Sequence, residues 1–311
     1  MNESNERGQA AAMTILFLTV LIGVTALALD VGSWYHAKRQ LQAAADAAAL
    51  AGAQALPEST DDAKALATEY ALDKNNAVVD PDGIQIDFSN GVTPHDTINV
   101  RLSGPADGFF SKLFGIDKVT VGAHASARSD NVSAALRVAP IVVNYKHPKL
   151  QCSPLPCPGD TEIDLADLHN PGSGDAAGAF GLIDLLQNDN GSVGASTLGE
   201  WINKGFDEFM KPGDYNSVPS SKFNSVEVRS AMTASIGQVL LFPIYDTIAG
   251  PGSNAVYHVI GWVGFHVTGF DATGSTGKVT GWFTRRVSEG IQVTPGDNVP
   301  DYGVRAVQLI N

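Results

Sequence analysis

The chain has 311 residues, of which 33 are acidic and 20 are basic, and its formal net charge is −13. The acidic balance and the lack of any lysine- or arginine-rich run argue against nucleic acid as a partner. An apolar content of 44% is typical of a folded protein rather than a disordered one.

The first predicted element is a membrane-spanning helix. Residues 10–29 form an uncharged run of 20 residues, which as a helix is about 30 Å long and matches the hydrocarbon core of a bilayer. Residues 34–36, Trp-Tyr-His, follow where an aromatic belt is expected. We therefore predict a short cytoplasmic tail over residues 1–9 and a transmembrane helix over residues 10–31, with membrane lipid as its partner.

Two other interpretations of the N-terminus stay open. Ala26 and Ala28 have the spacing of a signal-peptidase site, although the preceding segment is not clearly basic. Gly8 could precede a prepilin-type cut, but Met13 stands where such a site usually has glutamate. An uncut helix, a cleaved signal and a processed prepilin are thus three alternatives.

An alanine-rich stalk helix is predicted over residues 32–56. No proline occurs before Pro57, and alanine is the strongest helix former, so the stalk continues the transmembrane helix. Small residues on one face allow another backbone to approach closely. The predicted packing seam consists of Trp34, Leu41, Ala44, Ala48, Ala51 and Gly52. Self-association or contact with a partner helix is expected there.

Asp46 lies away from this seam, four residues after Gln42. It is either part of a solvated helix face or a candidate contact to a partner subunit.

The N-terminal segment resembles a known family. The stretch "ERGQAAAMTILFLTVLIGVTALALDVGSWYHAKRQLQAAADAAALAGAQAL" is similar to the start of TadE/TadG-like Flp (tight adherence) pilus assembly proteins. The motifs that carry the resemblance are Arg7-Gly8, "LDVG" at 29–32, Leu41-Gln42 and "DAAALAGA" at 46–53. The resemblance implies a membrane-anchored envelope protein that acts outside the cytoplasm in pilus assembly with other pilus or envelope proteins, and it does not imply catalysis. We therefore predict a non-enzymatic protein without cofactors.

The resemblance does not extend to the metal-binding von Willebrand factor A-type domain that TadG-like chains often carry. Asn144 stands where its first metal ligand would come, and no serine pair follows. No metal site is carried over.

A small α+β unit is predicted over residues 57–132. A helix follows the capping residues of "PESTDD", and "GFFSKLFG" is a short amphipathic segment. Alternating strands are predicted in "IQIDF", "TINVRLS" and "KVTVGAHASARS". We expect their sheet to pack on the stalk.

Residues 133–311 are predicted to form a β-rich extracytoplasmic domain, which makes the whole chain α+β. "STLGEWINKGFDEFM" indicates an amphipathic helix with Leu198, Trp201, Ile202, Phe206 and Phe209 on one face. Strands are predicted in "QVLLFPIYDTI", "AVYHVIGWVGFHVTGF", "GKVTGWFTRRV" and "YGVRAVQLI".

The two cysteines, Cys152 and Cys157, lie in the proline-rich stretch "QCSPLPCPGD". A disulfide would close a short loop, as is common outside the cytoplasm. A metal site with His147 and His169 is the alternative, but the spacing does not match known zinc motifs.

Two further function classes stay open beside the pilus protein. No Gly-x-Ser-x-Gly or His-Glu-x-x-His motif is present. A membrane-tethered hydrolase would need a polar pocket that joins Asp246, His258 and His266. A cell-surface ligand-binding module would use an exposed platform of Tyr257, Trp262 and Trp282.

Overall fold

The computed structural model divides the chain into two units. Unit 1 contains Met1–Ser129 and Val307–Asn311, and unit 2 contains Asp130–Ala306. The structure describes residues 3–152, 155–157, 159–165, 181–187, 193–250, 254–273, 276–292 and 299–310. His169 lies outside these described residues.

Helix α1 of unit 1 runs without a break over Glu3–Ala53, a length of 51 residues or about 76 Å. The hydroxyls of Thr14, Thr19 and Thr25 each donate to the carbonyl four residues earlier, so these polar groups are satisfied inside the helix. The predicted long N-terminal helix is confirmed.

Helix α2, Thr60–Leu72, packs on the C-terminal part of α1. Ser59 caps it by accepting a hydrogen bond from the N–H of Asp62. Its buried face consists of Ala63, Ala67 and Ala71, spaced four residues apart. Alanines on both helices therefore make a close helix–helix contact.

Three antiparallel strands that begin in unit 1 lie in the order β1, Gln85–Ser89, β2, Thr97–Asp107, and β3, Lys118–Ala135, and the residues of β3 from Asp130 onward belong to unit 2. Thr97 lies opposite Arg128, and Asp107 lies opposite Lys118, so β2 and β3 form a long hairpin. The buried side chains are Ile98, Val100, Leu102, Ala123, Ala125 and Ala127, which share a core with the alanines of α1 and α2. The predicted alternation of β3 places its small residues inward.

Unit 2 is built on a second sheet, whose strands are β4, Val143–Asn144, β5, Ile163–Asp164, β6, Gly213–Asn216, β7, Val239–Ala249, β8, Val256–Thr273, and β9, Thr276–Thr284. The neighbouring strands follow the order β4, β7, β8, β9, β5, and β6 also pairs with β8. The central strands β7, β8 and β9 are antiparallel. The β-rich region that the sequence predicts is confirmed.

Two helices of unit 2, α3 at Ala195–Lys204 and α4 at Val226–Ala234, pack against each other. The helix predicted at α3 is shorter than expected, because Gly205 adopts φ +76° and ends it. Phe206 is still buried, but Phe209 is 47% exposed. Phe209 therefore does not belong to a continuous apolar helix face.

Three further strands lie among the described residues near the C-terminus: β10, Arg286–Val287, β11, Gly290–Gln292, and β12, Val304–Ile310. Within unit 2, β10 pairs in parallel with the first residues of β12, and β11 pairs with residues 132–135 of β3. The last residues of β12 belong to unit 1. The domain boundaries inferred from the sequence stay predictions.

Candidate functional site: the apolar helix and the hairpin docked beside it

The N-terminal part of α1 is an apolar cylinder that the other described residues leave uncovered. An 18-residue window within it has a mean hydropathy of 2.4, and none of that window is buried. Large side chains point outward on all sides, for example Met13, Phe17 and Leu21. The helix is long and apolar enough that it could span a membrane.

Asp30 is the first charged residue after the apolar run, and it is 3% exposed. Its carboxylate accepts hydrogen bonds from three consecutive backbone N–H groups of the loop after β2. The distances are 2.6 Å from Phe109, 3.0 Å from Phe110 and 2.6 Å from Ser111. Successive N–H groups form an anion-binding concavity, and here the anion is a side chain of α1.

The neighbouring turn of α1 adds two contacts to the same loop. The Ser33 hydroxyl donates to the carbonyl oxygen of Asp107 at 3.2 Å. A Cβ atom added to Gly108 would lie 3.6 Å from Trp34 and 1.8 Å from the Ser111 hydroxyl, so a side chain at this position would displace that hydroxyl. Trp34, predicted for the packing seam, thus lies beside the hairpin of its own chain.

The rest of the predicted seam is buried within unit 1. Leu41, Ala44, Ala48 and Ala51 are at most 4% exposed. A Cβ on Gly52 would lie 2.6 Å from the Ile98 side chain and 2.8 Å from the Ala63 carbonyl oxygen. Helix α2 and strand β2 of the same chain thus fill this face; its contact with another chain stays a prediction.

Asp46 is half-buried and lies next to the hairpin. The Gln42 amide donates to the Asp46 carboxylate at 2.8 Å and to the His124 carbonyl oxygen at 2.7 Å. The contact of Asp46 to a partner subunit, predicted from the sequence, stays untested.

Cys152 and Cys157 form the predicted disulfide, with their Cα atoms 5.4 Å apart. The nearby His147 has its Nδ1 occupied, because it accepts a hydrogen bond from the N–H of Lys149 at 3.2 Å. Burial lowers the pKa of His147 to about 4, and the positive charge of Lys149 acts in the same direction. In the part of the chain that the structure describes, no group of three or more His, Cys, Asp or Glu residues could hold a metal ion.

The residues of the hydrolase alternative do not meet in one pocket. His258 and His266 are eight residues apart in β8, a separation of about 26 Å. The Nδ1 atom of His258 lies 2.8 Å from the Asp214 carboxylate, whereas His266 stacks on Trp282 with ring centroids 4.2 Å apart. The Asp246 carboxylate accepts from the Thr247 hydroxyl at 3.2 Å.

The aromatic residues of the ligand-binding alternative lie mostly in the core. Tyr257 is fully buried, and its hydroxyl accepts from the N–H of Gly181 at 3.3 Å. Trp262 is 2% exposed and its Nε1 donates to the sulfur of Met210. Only Trp282 is half-buried. Tyr257 and Trp262 therefore stabilise the sheet rather than forming an exposed platform.

The sequence reasoning did not identify Asp30 as a docking residue. The uncharged run 10–29 ends at Asp30, and nothing in the neighbouring sequence indicates which residues its carboxylate contacts. The partner loop, "GFFS" at 108–111, was predicted as an amphipathic segment without a role.

In this architecture, an exposed apolar helix continues directly into a folded α+β unit. A single helix of this kind could hold the protein at a membrane. Residues 8–55 match the model of a family described as putative Flp pilus-assembly TadE/G-like. The predicted resemblance of the N-terminal segment is thereby confirmed. The match covers the helix and the turn after it, and not the remainder of the 311-residue chain. No curated protein and no solved structure matches the chain.

Proposed function

We propose that this chain is a single-pass, non-enzymatic envelope protein that assists the assembly or anchoring of Flp/Tad-type pili. The family match over residues 8–55 supports a part in Flp pilus assembly. The observation that carries the rest is the continuity of α1, whose apolar first part and docked second part form one 51-residue helix.

This continuity has a mechanical consequence. The apolar span connects to unit 1 without a flexible linker, since α1 is helical from Glu3 to Ala53 and its second half is buried under α2 and the β2–β3 hairpin. Asp30 ties the hairpin to α1 directly after the span. A force applied to unit 1 by a pilus or envelope protein would therefore be transmitted to the membrane helix.

The body of the protein acts outside the cytoplasm in this proposal. The Cys152–Cys157 disulfide supports this location, because disulfides persist in oxidising compartments and are rare in the cytosol. The proposed partners are membrane lipid and other pilus assembly or envelope proteins. Self-association through the stalk belongs to the same proposal, although the seam residues already contact α2 and β2.

Protease shaving of intact cells, with mass spectrometry of the released and retained peptides, tests topology and processing together. Peptides from unit 2 should be released from intact cells, and residues 10–29 should stay in the membrane fraction. Release of unit 2 peptides only after lysis would overturn the outside location. A mature N-terminus beyond residue 30 would overturn the membrane anchor.

Gene deletion in the source organism tests the role in pilus assembly. Deletion should remove surface pili, as counted by electron microscopy, and the full chain should restore them. The variant Leu21→Arg places a charge at the centre of the span and disfavours insertion by about 3 kcal/mol. It should fail to restore pili, whereas Leu21→Ile should succeed. Normal piliation after deletion would contradict the proposed function.

A further inference from the structure

We propose that the tip of the β2–β3 hairpin, residues 108–116, inserts its apolar side chains into the lipid bilayer surface beside the membrane helix. The proposal rests on the membrane anchoring argued above. It adds a second membrane contact, made by the folded unit itself.

The hairpin tip is unusually apolar for a solvent-exposed loop. Its sequence is "GFFSKLFGI", and its large apolar side chains point outward. The exposed fractions are 68% for Phe109, 36% for Phe110, 81% for Leu113, 82% for Phe114 and 48% for Ile116. A cluster of exposed apolar residues this dense marks an interaction surface.

The contacts between α1 and the hairpin show that the tip points toward the apolar end of the helix. Ile98, near the start of β2, contacts α1 at Gly52. His124, which lies opposite Arg101, is bonded to Gln42. Asp107, at the end of β2, is bonded to Ser33. As the hairpin is followed toward its tip, its partner on α1 thus moves steadily toward the N-terminus.

The last of these contacts places the tip at the expected membrane boundary. Phe109, Phe110 and Ser111 bond to Asp30, which directly follows the uncharged run 10–29. The tip is therefore level with the end of the span, where the headgroup region begins. Aromatic rings are favoured at this depth, and apolar side chains of interfacial segments bury about 5–10 Å into the boundary.

The tip is held in a fixed shape that keeps its apolar side chains outward. The Ser111 hydroxyl donates to the Ile116 carbonyl oxygen at 2.9 Å, and the Ile116 N–H donates to the Ser111 carbonyl oxygen at 3.1 Å. Gly115, with φ +76°, closes the turn between them. Because the loop is bonded across its base, Leu113 and Phe114 cannot easily fold back onto unit 1.

Charge and continuity favour lipid over a protein as the occupant. Lys112 lies in the tip and is exposed; Lys118, two residues after the tip, is also exposed and lies 4.0 Å from the Asp107 carboxylate. Basic side chains beside apolar ones suit a surface that carries anionic headgroups. The apolar surface of the tip is also adjacent to the apolar surface of α1, which must itself be covered by lipid if the helix spans the membrane.

A fluorescent probe at Leu113 tests the insertion. The full chain carrying Leu113→Cys is labelled with a polarity-sensitive dye and reconstituted in vesicles of phosphatidylcholine and phosphatidylglycerol. The native cysteines are joined in the disulfide and do not react with the dye without reductant. Quenching by spin-labelled lipid is compared with quenching by aqueous iodide.

Two further labelled variants serve as controls. Val92→Cys lies before the start of β2, at the end of the hairpin strand away from the tip, and is 39% exposed in the native chain. Leu18→Cys lies within the apolar span and reports on membrane anchoring alone. We expect lipid quenching and a blue shift for the probes at 113 and 18, and iodide quenching for the probe at 92.

The controls separate failure of this inference from failure of the proposed function. Lipid quenching at 18 with iodide quenching at 113 would overturn insertion of the tip and leave the anchor intact. Protection at 113 from both quenchers would show that a protein covers the tip, which also overturns the inference. Iodide quenching at position 18 would overturn the membrane anchor itself.

Discussion

Asp30 and Phe109 are 79 residues apart in the chain, yet the carboxylate of one accepts a 2.6 Å hydrogen bond from the backbone N–H of the other. This bond joins the end of the apolar run in α1 to the tip of the β2–β3 hairpin. Ser33 and Trp34 contact the same loop one turn later in the helix. The helix therefore enters the folded unit at the point where the apolar surface ends.

Asp30→Ala is expected to loosen the hairpin tip. The change removes the acceptor for the N–H groups of Phe109, Phe110 and Ser111. Hydrogen exchange of these three amides should accelerate by about tenfold or more, because the carboxylate that accepts their hydrogen bonds is gone. Ser33→Ala is the matched control, since it removes one neighbouring hydrogen bond to Asp107. Equal exchange rates in both variants would show that the carboxylate does not hold the loop.

Ala48→Leu is expected to destabilise unit 1. Ala48 is fully buried in the core that α1 shares with α2 and the sheet, so three extra carbon atoms have no space. Overpacking of this kind costs about 1–3 kcal/mol. Ala43→Leu is the matched control, because Ala43 is exposed on the same helix. Hydrogen exchange of the β2 amides should report the difference in the free energy of unfolding.

The same comparison tests the predicted packing seam between the stalks of two chains. If Ala48→Leu left the exchange of β2 unchanged but abolished cross-links between two copies of the stalk, the alanine face would contact another chain. The packing within one chain predicts the opposite result. Hydrogen exchange of the β2 amides should become faster in Ala48→Leu, whether or not the cross-links between two stalks change.

Local patterns allowed much of the fold to be predicted from the sequence. The uncharged run and the alanines predicted α1, and the alternation of Val119 to Ala127 predicted the inward face of β3. Contacts between distant segments could not be predicted in this way. Nothing near Asp30 in the chain shows that residues 109–111 will bond to it, and nothing near Ala48 shows that β2 will cover it. These contacts depend on how the hairpin docks.

The same limit explains the candidate residues in unit 2. His258 and His266 share the even spacing of a strand face, but eight residues of extended chain keep them about 26 Å apart. The sequence allows an aromatic platform of Tyr257 and Trp262, but both side chains are buried in the core of unit 2. Periodicity predicts the face of a strand and not whether that face is covered.

Gly303→Ala is expected to be strongly destabilising in unit 2. Gly303 has φ +83°, and an added Cβ would lie 2.6 Å from Pro156 and 3.0 Å from the Leu155 carbonyl oxygen. Backbone strain and the clash together should lower the free energy of unfolding of unit 2 by about 2–4 kcal/mol. Gly237→Ala is the matched control, because Gly237 has φ +85° but open space around it. In Gly237→Ala, backbone strain alone should lower the free energy of unfolding, by about 1 kcal/mol.

Urea unfolding followed by tryptophan fluorescence measures both glycine variants. Three of the four tryptophans, at 201, 262 and 282, lie in unit 2. Equal midpoints for Gly303→Ala and Gly237→Ala would mean that the disulfide loop does not pack on Gly303.

The stability of unit 2 is expected to fall with acidification through His147. Burial lowers the pKa of this imidazole to about 4, from 6.5 in the unfolded chain. Between these two values the unfolded state binds a proton and the folded state does not, so the free energy of unfolding decreases as the pH falls. The decrease begins near pH 6.5 and is complete near pH 4. We expect about 1–2 kcal/mol, a value reduced for solvent screening because the ring is half-buried.

His147→Asn removes this titration while keeping a side-chain acceptor for the N–H of Lys149. Urea unfolding between pH 4 and pH 7 should therefore show a flatter pH dependence for this variant than for the native chain. His36→Asn is the matched control, because His36 is exposed on α1, and its curve should follow the native one. If the free energy of unfolding had the same pH dependence in His147→Asn and in the native chain, protonation of His147 would not be coupled to folding. The His147 ring, which packs edge-on against Phe283, would then have to tolerate a charge.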